Sequence, residues 1–255
     1  MERLVISPVI GPSPPGFPAT LSHSIIRTLY GRGMPTRAVR DLEIELPAID
    51  GGELEPVIAP WVGNLNDAHV KNGALTKSGL VDARLRRSHL QDLDLTEAVW
   101  EDVSAVGCRF ERVDLTAARF TGVGFTRCHF VGCKLTWAHL SESTLDHVLF
   151  ENCRLDAATF DEVSTLGPTG FTGCVLVNAV VRDCKLNHAA MVGCRLRQIS
   201  FESCDLQGAD LRGNRISEVS GITSLRGVTI EPAQIPDLTD AVMRDLRVVI
   251  RGQRA

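Results

Sequence analysis

One periodicity dominates the chain. From Leu65 to Phe160 every fifth residue is apolar, and after a slip of one residue the series resumes at Leu166 and runs to Ile216. It has 31 positions and takes eight of the nine Phe. Two residues before each position sits a second set, mostly Ala, Cys, Ser or Val, which includes all eight Cys. Five steps along an α-helix rotate by about 140°, which would smear the apolar residues around the axis. Five steps along a continuous strand reverse the face each time. A short strand piece followed by a corner satisfies the pattern: residues two apart point inward together, and the others turn the chain.

Residue types recur at twenty. Ala98, Ala118, Ala138 and Ala158 form one column; Phe110, Phe130 and Phe150 form another, continued past the slip by Phe171. Four units therefore close one coil, and the expected fold is an all-β, four-sided parallel β-helix of about eight coils, rungs about 4.8 Å apart. The slip is an insertion between Phe160 and Leu166. Placing Leu166 inward, with Ser164 at its small position, continues the column Phe125, Leu145, Leu186, Leu206, and "GPTG" makes the next corner.

Three segments follow. Residues 1–62 carry nine of the twelve Pro and no repeat. They read as an irregular arm, with short pieces such as "TLSHSIIRTLY", that covers the first coil. Residues 63–222 are the β-helix. Residues 223–255 form a C-terminal cap with a short helix, for which Asp237 is the expected N-cap and Leu238, Ala241, Val242, Asp245 and Leu246 suit an amphipathic pattern. Open coil ends expose strand edges and core, so both need covering. The C-terminal helix serves as a lid or, alternatively, as a lid and homodimer interface.

Composition narrows the function classes. A net charge of −4 is too mild for direct nucleic-acid binding. No apolar run approaches a membrane span, and the opening "MERLVISPVIGPSPPG" has no cleavage-like site. A soluble cytoplasmic protein with reduced thiols is the expectation. The cysteines fill a narrow interior as small apolar residues rather than forming a metal or redox ladder. No phosphate loop, GxSxG, HExxH or nucleotide fingerprint occurs, and no cofactor or metal is implied. His69, His89, His129, His139, His147 and His188 fall mostly on outward corners, scattered over the faces, and read as solvated. A polysaccharide-acting enzyme would need a cleft, which regular short corners do not build. The chain reads as non-enzymatic.

Pentads such as "CRLDA", "CKLTW", "CDLQG" and "ADLRG" resemble the pentapeptide-repeat family, over about Asn64 to Ser220. The resemblance implies a right-handed quadrilateral β-helix. The ending "LRGVTIEPAQIPDL" is similar to actinobacterial members, as is the preference for Arg over Lys.

The outward residues are unevenly charged. The face centred on Leu80, Trp100, Phe120, Leu140, Phe160, Val181 and Phe201 carries Asp82, Glu101, Asp102, Glu142, Asp161, Glu162, Asp183 and Glu202. Only Arg119 and Arg182 oppose these eight acids, a net of −6. Another face is basic and includes Arg84, Arg86, Arg87 and Arg127. Duplex DNA carries one charge per about 1.7 Å; the acidic face carries one per about 4 Å at β-sheet rung spacing. It is either a solvating surface or a diluted DNA mimic. The resemblance to quinolone-resistance pentapeptide-repeat proteins implies the second, with DNA gyrase, a type II topoisomerase, as partner. A structural scaffold or protein-interaction module docking through its N-terminal arm is the alternative.

Overall fold

A computed structural model describes residues 34–49, 54–61 and 63–249; the "TLSHSIIRTLY" piece lies outside them. The five-residue grid folds as the periodicity requires. Thirty of the 31 grid positions are buried, in one continuous core that also contains the small-position residues. The chain winds about seven turns. Three sides are parallel sheets whose partners are twenty residues apart before the slip, as in Phe110 with Phe130 and Phe120 with Leu140. Sheet I has six strands and is centred on Leu65, Leu85, Ala105, Phe125 and Leu145. Sheet II has eight and is centred on Val70 through Met191, and sheet III has seven and is centred on Leu80 through Phe201. The fourth side is held by single bridges, such as Asp114 with Lys134.

Inside sheet II the Phe column becomes a stack. Phe110, Phe130, Phe150 and Phe171 have ring centroids 4.4, 4.7 and 4.9 Å apart and interplanar angles of 5°, 13° and 7°. The cysteines are free thiols, seven of them buried and Cys204 partly so. All but Cys108 donate Sγ–H to a carbonyl of the preceding rung, for example Cys133 to Phe110 at 3.4 Å and Cys194 to Phe171 at 3.3 Å. Burial, and then the neighbouring Cys108, pushes the Cys128 thiol up. Small size and a weak donor explain the choice of Cys in this row.

The slip is one corner later than its expected place. Thr165, not Leu166, pairs with Leu145 and is buried, and its hydroxyl donates to the Lys185 carbonyl at 3.2 Å. Leu166 is 66 % exposed. The extra residue sits in the corner Leu166–Gly167–Pro168, and Thr169 resumes pairing opposite Val148. A threonine that satisfies its own hydroxyl fills the slot that an apolar reading assigns to leucine.

The segment before the grid has two described parts. Strands β1 (Thr36–Val39) and β2 (Leu42–Glu45) form an antiparallel hairpin. It lies on the outer face of sheet II: Val39 and Ile44 pack with Leu149 and Ala190. Gly170 makes room, since a Cβ there would stand 2.7 Å from Ile44 Cδ1. Strand β3 (Glu55–Val57) adds to the first rung of sheet II, and Val57, Ala59 and Trp61 pack against the core. Thus 55–61 cover the first coil, while the hairpin seats on a side near the other end.

The C-terminal cap is built from side chains that serve unpaired backbone. Helix α1 spans Ile235–Asp245 and follows a short 3₁₀ turn, Pro232–Gln234. Its N-cap is Gln234 rather than Asp237, because Glu231 and Gln234 form a capping box one turn earlier. Asp237 instead accepts the Ile216 N–H at 3.1 Å, and Asp245 accepts those of Gly221 and Ile222 at 3.2 and 3.0 Å. Gln234 donates to the Leu211 and Asn214 carbonyls. The lid therefore satisfies donors and acceptors that the last coil leaves open.

Candidate functional site: the outer face of sheet III

Each rung of sheet III presents three outward residues. Two flank the buried centre within a three-residue strand; the third turns the corner. In Val99–Glu101, for example, Trp100 is buried while Glu101 and the corner residue Asp102 are exposed. The register places Glu101, Thr121, Ser141, Asp161, Arg182 and Glu202 in one column. Asp82, Asp102, Gly122, Glu142, Glu162 and Asp183 form the next, each N–H bonded to a carbonyl of the following rung at 2.9–3.0 Å. All eight expected acids lie on this one face. Seven are exposed and Asp161 is half-buried.

The corner column has a backbone cause that sequence reasoning missed. From Asp67 to Glu162 every fifth residue has positive φ, with Asp82, Asp102, Glu142 and Glu162 between 49° and 53°. Asp and Gly tolerate this region, so it accounts for Asp82, Asp102, Asp183 and the break at Gly122. Backbone tolerance gives no reason for Glu142 and Glu162. A Cβ at Gly122 would lie 2.4 Å from Asp102 Oδ1, so filling the break displaces that carboxylate.

Pairing distinguishes this face. Among the described residues, Asp82, Glu101, Asp102, Glu142, Asp161, Glu162 and Asp183 make no ion pair or side-chain hydrogen bond. Glu202 alone is paired, with Arg182 at 3.1 Å. Stacked like charges at this spacing repel, though solvent screens them. A counter-charged surface would gain seven unneutralised carboxylates on a rigid, nearly flat sheet. No cluster of metal-ligating groups occurs among the described residues.

The other expected surfaces differ from their reading. Arg84 and Arg86 are exposed on sheet I, but Arg87 is paired with Asp67 at 2.8 Å. His129, expected at the surface, is buried on sheet II, with Nε2 3.1 Å from Glu151 and Nδ1 3.3 Å from Arg109. His69 and His89 stack at 4.8 Å and are half-buried. His147 Nδ1 accepts the Glu45 N–H of the hairpin at 2.9 Å.

A model described as a pentapeptide repeat region matches residues 103–167, and one described as pentapeptide repeats (8 copies) matches 182–217. Trypsin-treated QnrB1, a plasmid-mediated fluoroquinolone resistance protein, is a similar solved structure. It shares 17 % identity at a TM-score of 0.37, covering 75 % of this chain and 100 % of its own. HetL, a pentapeptide repeat protein involved in heterocyst differentiation regulation from the cyanobacterium Nostoc sp. strain PCC 7120, shares 23 % identity at a TM-score of 0.27, covering 65 % and 78 %. A search of curated proteins found no match.

Proposed function

For a chain that carries pentapeptide repeats, we propose a non-enzymatic, cytoplasmic role: the outer face of sheet III binds the positively charged DNA-binding surface of a protein, with DNA gyrase as the specific candidate. The row of unpaired carboxylates carries this reading. A partner evolved to hold phosphates presents Arg and Lys, and exposed charges on a flat face steer association and set its salt dependence. Glu142 and Glu162 weigh most, because the corner backbone does not favour them. Binding of purified protein to gyrase, read together with inhibition of supercoiling, tests the proposal. Saturable binding that weakens as salt rises supports it; no binding at low salt refutes the assignment of gyrase.

A second element of the proposal is a homodimer through the C-terminal cap. Ile235 at the start of α1 and Leu246, Val248 and Val249 past its end are exposed there. Within this reading 1–62 is the arm, 63–222 the binding rod and 223–255 the cap and pairing element. Sedimentation of the full chain against a Leu246→Glu, Val249→Glu variant tests the pairing: a dimer that the variant makes monomeric supports it, and a monomeric parent refutes it.

A further inference from the structure

We propose that a groove at the corner between sheet II and the fourth side, beside the C-terminal cap, binds a short oligophosphate chain. The cavity is about 580 Å³, and its lining includes Gly173, Gly193, Arg195, Arg197, Arg215 and Glu218. A smaller recess of about 290 Å³ adjoins it, shares Arg215 and Glu218, and adds Asp240 and Arg244 of α1. In a protein of net charge −4, four arginines against two carboxylates in one depression are an exception.

The arginines are arranged rather than merely numerous. Arg197 Nε donates to Glu218 at 3.0 Å and Arg215 Nε donates to Ser217 Oγ at 3.1 Å. Each guanidinium is thus anchored through Nε, and its Nη groups make no hydrogen bond among the described residues. Arg195 has no side-chain partner among them. Ser217, 4 % exposed, is the hub, since its carbonyl also accepts from Arg244. Anchoring reduces the entropy a ligand must overcome.

Chemistry narrows the ligand. Arg195 and Arg215 occupy the same position on successive rungs, and Arg197 lies on the rung of Arg195. Their free N–H groups outnumber the acceptors of a single carboxylate, whereas linked phosphates offer oxygens along the whole row. Among the described residues no aromatic side chain lines the groove, so none of them stacks a base as single-stranded nucleic-acid sites do. Helix α1 closes one end, with Asp240 beside Arg244, which selects a short chain. Its lining includes the corners Gly173 and Gly193; a Cβ at Gly193 would stand in open space with nothing within 4 Å, whereas one at Gly173 would meet Asn152 Oδ1 at 2.6 Å.

The test is calorimetric titration of the full chain at physiological salt with tripolyphosphate, pyrophosphate, ATP, sulfate and citrate. Saturable binding of tripolyphosphate, tighter than pyrophosphate and at least tenfold tighter than sulfate or citrate, is expected. ATP binding equal to tripolyphosphate means that free oligophosphate suffices; tighter ATP binding makes a nucleotide the source of the chain. Arg195→Gln with Arg215→Gln should weaken tripolyphosphate at least tenfold. Gly193→Asn keeps every charge, uses a residue type that adopts positive φ at Asn152 and Asn178, and should weaken it comparably by placing a side chain in the open space beside Gly193. Arg84→Gln with Arg86→Gln on sheet I should change it less than twofold. Absence of saturable binding, citrate binding as well as tripolyphosphate, or equal losses in the sheet I control overturns the proposal. The acidic face plays no part in this test.

Discussion

Sheets II and III are built from the same pentads on opposite sides of the coil, yet they use charge in opposite ways. Along the inner rungs of sheet II the acids are paired: Asp92 with Arg112, Glu111 with Arg109 and Arg112, Glu151 with Arg37 and His129, Asp210 with Arg212. Burial alone would raise the Glu111 carboxyl, but hydrogen bonds from Arg109 and Arg112 hold it below the usual range. Hydrogen bonding from Arg112 likewise lowers Asp92. Where sheet II turns apolar, at Leu149, Gly170 and Ala190, the chain covers it with its own hairpin. On sheet III the acids outnumber their bases and stay solvated. The lesson is that pairing, more than charge count, separates a face the protein uses for itself from one it leaves to solvent.

The largest effect should come from the core common to both faces. Phe130→Ala removes the middle of the stacked column and should cost about 3–5 kcal/mol, measured by chemical unfolding. A much smaller loss would mean that the rung collapses around the gap, and the two outer faces could not then be treated as presented by a rigid body.

Next comes the hairpin. Ile44 is fully buried on sheet II, and Ile44→Ala should cost about 2 kcal/mol, the lower end for such a deletion, because the site is at the periphery. Limited proteolysis should cut near Arg37–Arg40 while the coil stays intact. Unchanged protection there would show that the hairpin is held by its polar contacts rather than by packing: Glu45 with His147, Arg37 with Glu151, Arg40 with the Arg212 carbonyl and Asp41 with the Arg212 guanidinium.

Acidification sharpens the contrast. Burial, and then Arg109, lowers the pKa of His129; burial, and then His69, lowers that of His89. The unfolded chain therefore binds protons that the folded chain resists. Stability should be full above the ordinary histidine value of about 6.5 and should fall as pH drops below it towards the depressed folded values. Below the ordinary carboxylate range, Glu111 and Asp92 add a second loss, because their folded values are depressed too. A melting temperature flat from pH 7 to pH 5 contradicts this account of sheet II.

These regions also differ in how far the sequence discloses them. The inward grid, the cysteine row and the acid columns are legible because a coil of fixed pitch turns spacing directly into position. Thr165 was not, since strand pairing and one hydroxyl–carbonyl bond decide between it and Leu166. Nor was the buried state of His129, which depends on Arg109 and Glu151 on neighbouring rungs. The hairpin escaped because its seat is more than one hundred residues away, although the alternation in "TRAV" and "LEIE" is a strand signal. Positive φ at the corners left little trace, because Lys77, Arg112, Trp137 and Glu162 adopt it as well as Asp and Gly.

The smallest effect on stability carries the most weight for function. Changing Asp102→Asn, Glu142→Gln and Glu162→Gln together should leave the melting temperature unchanged or slightly higher, since no partner is lost and like charges separate. The same variant should bind gyrase more weakly and with a flatter salt dependence than the parent, while Arg84→Gln with Arg86→Gln does not. A triple variant that binds as tightly as the parent at both low and physiological salt contradicts the assignment of the sheet III face as the binding surface.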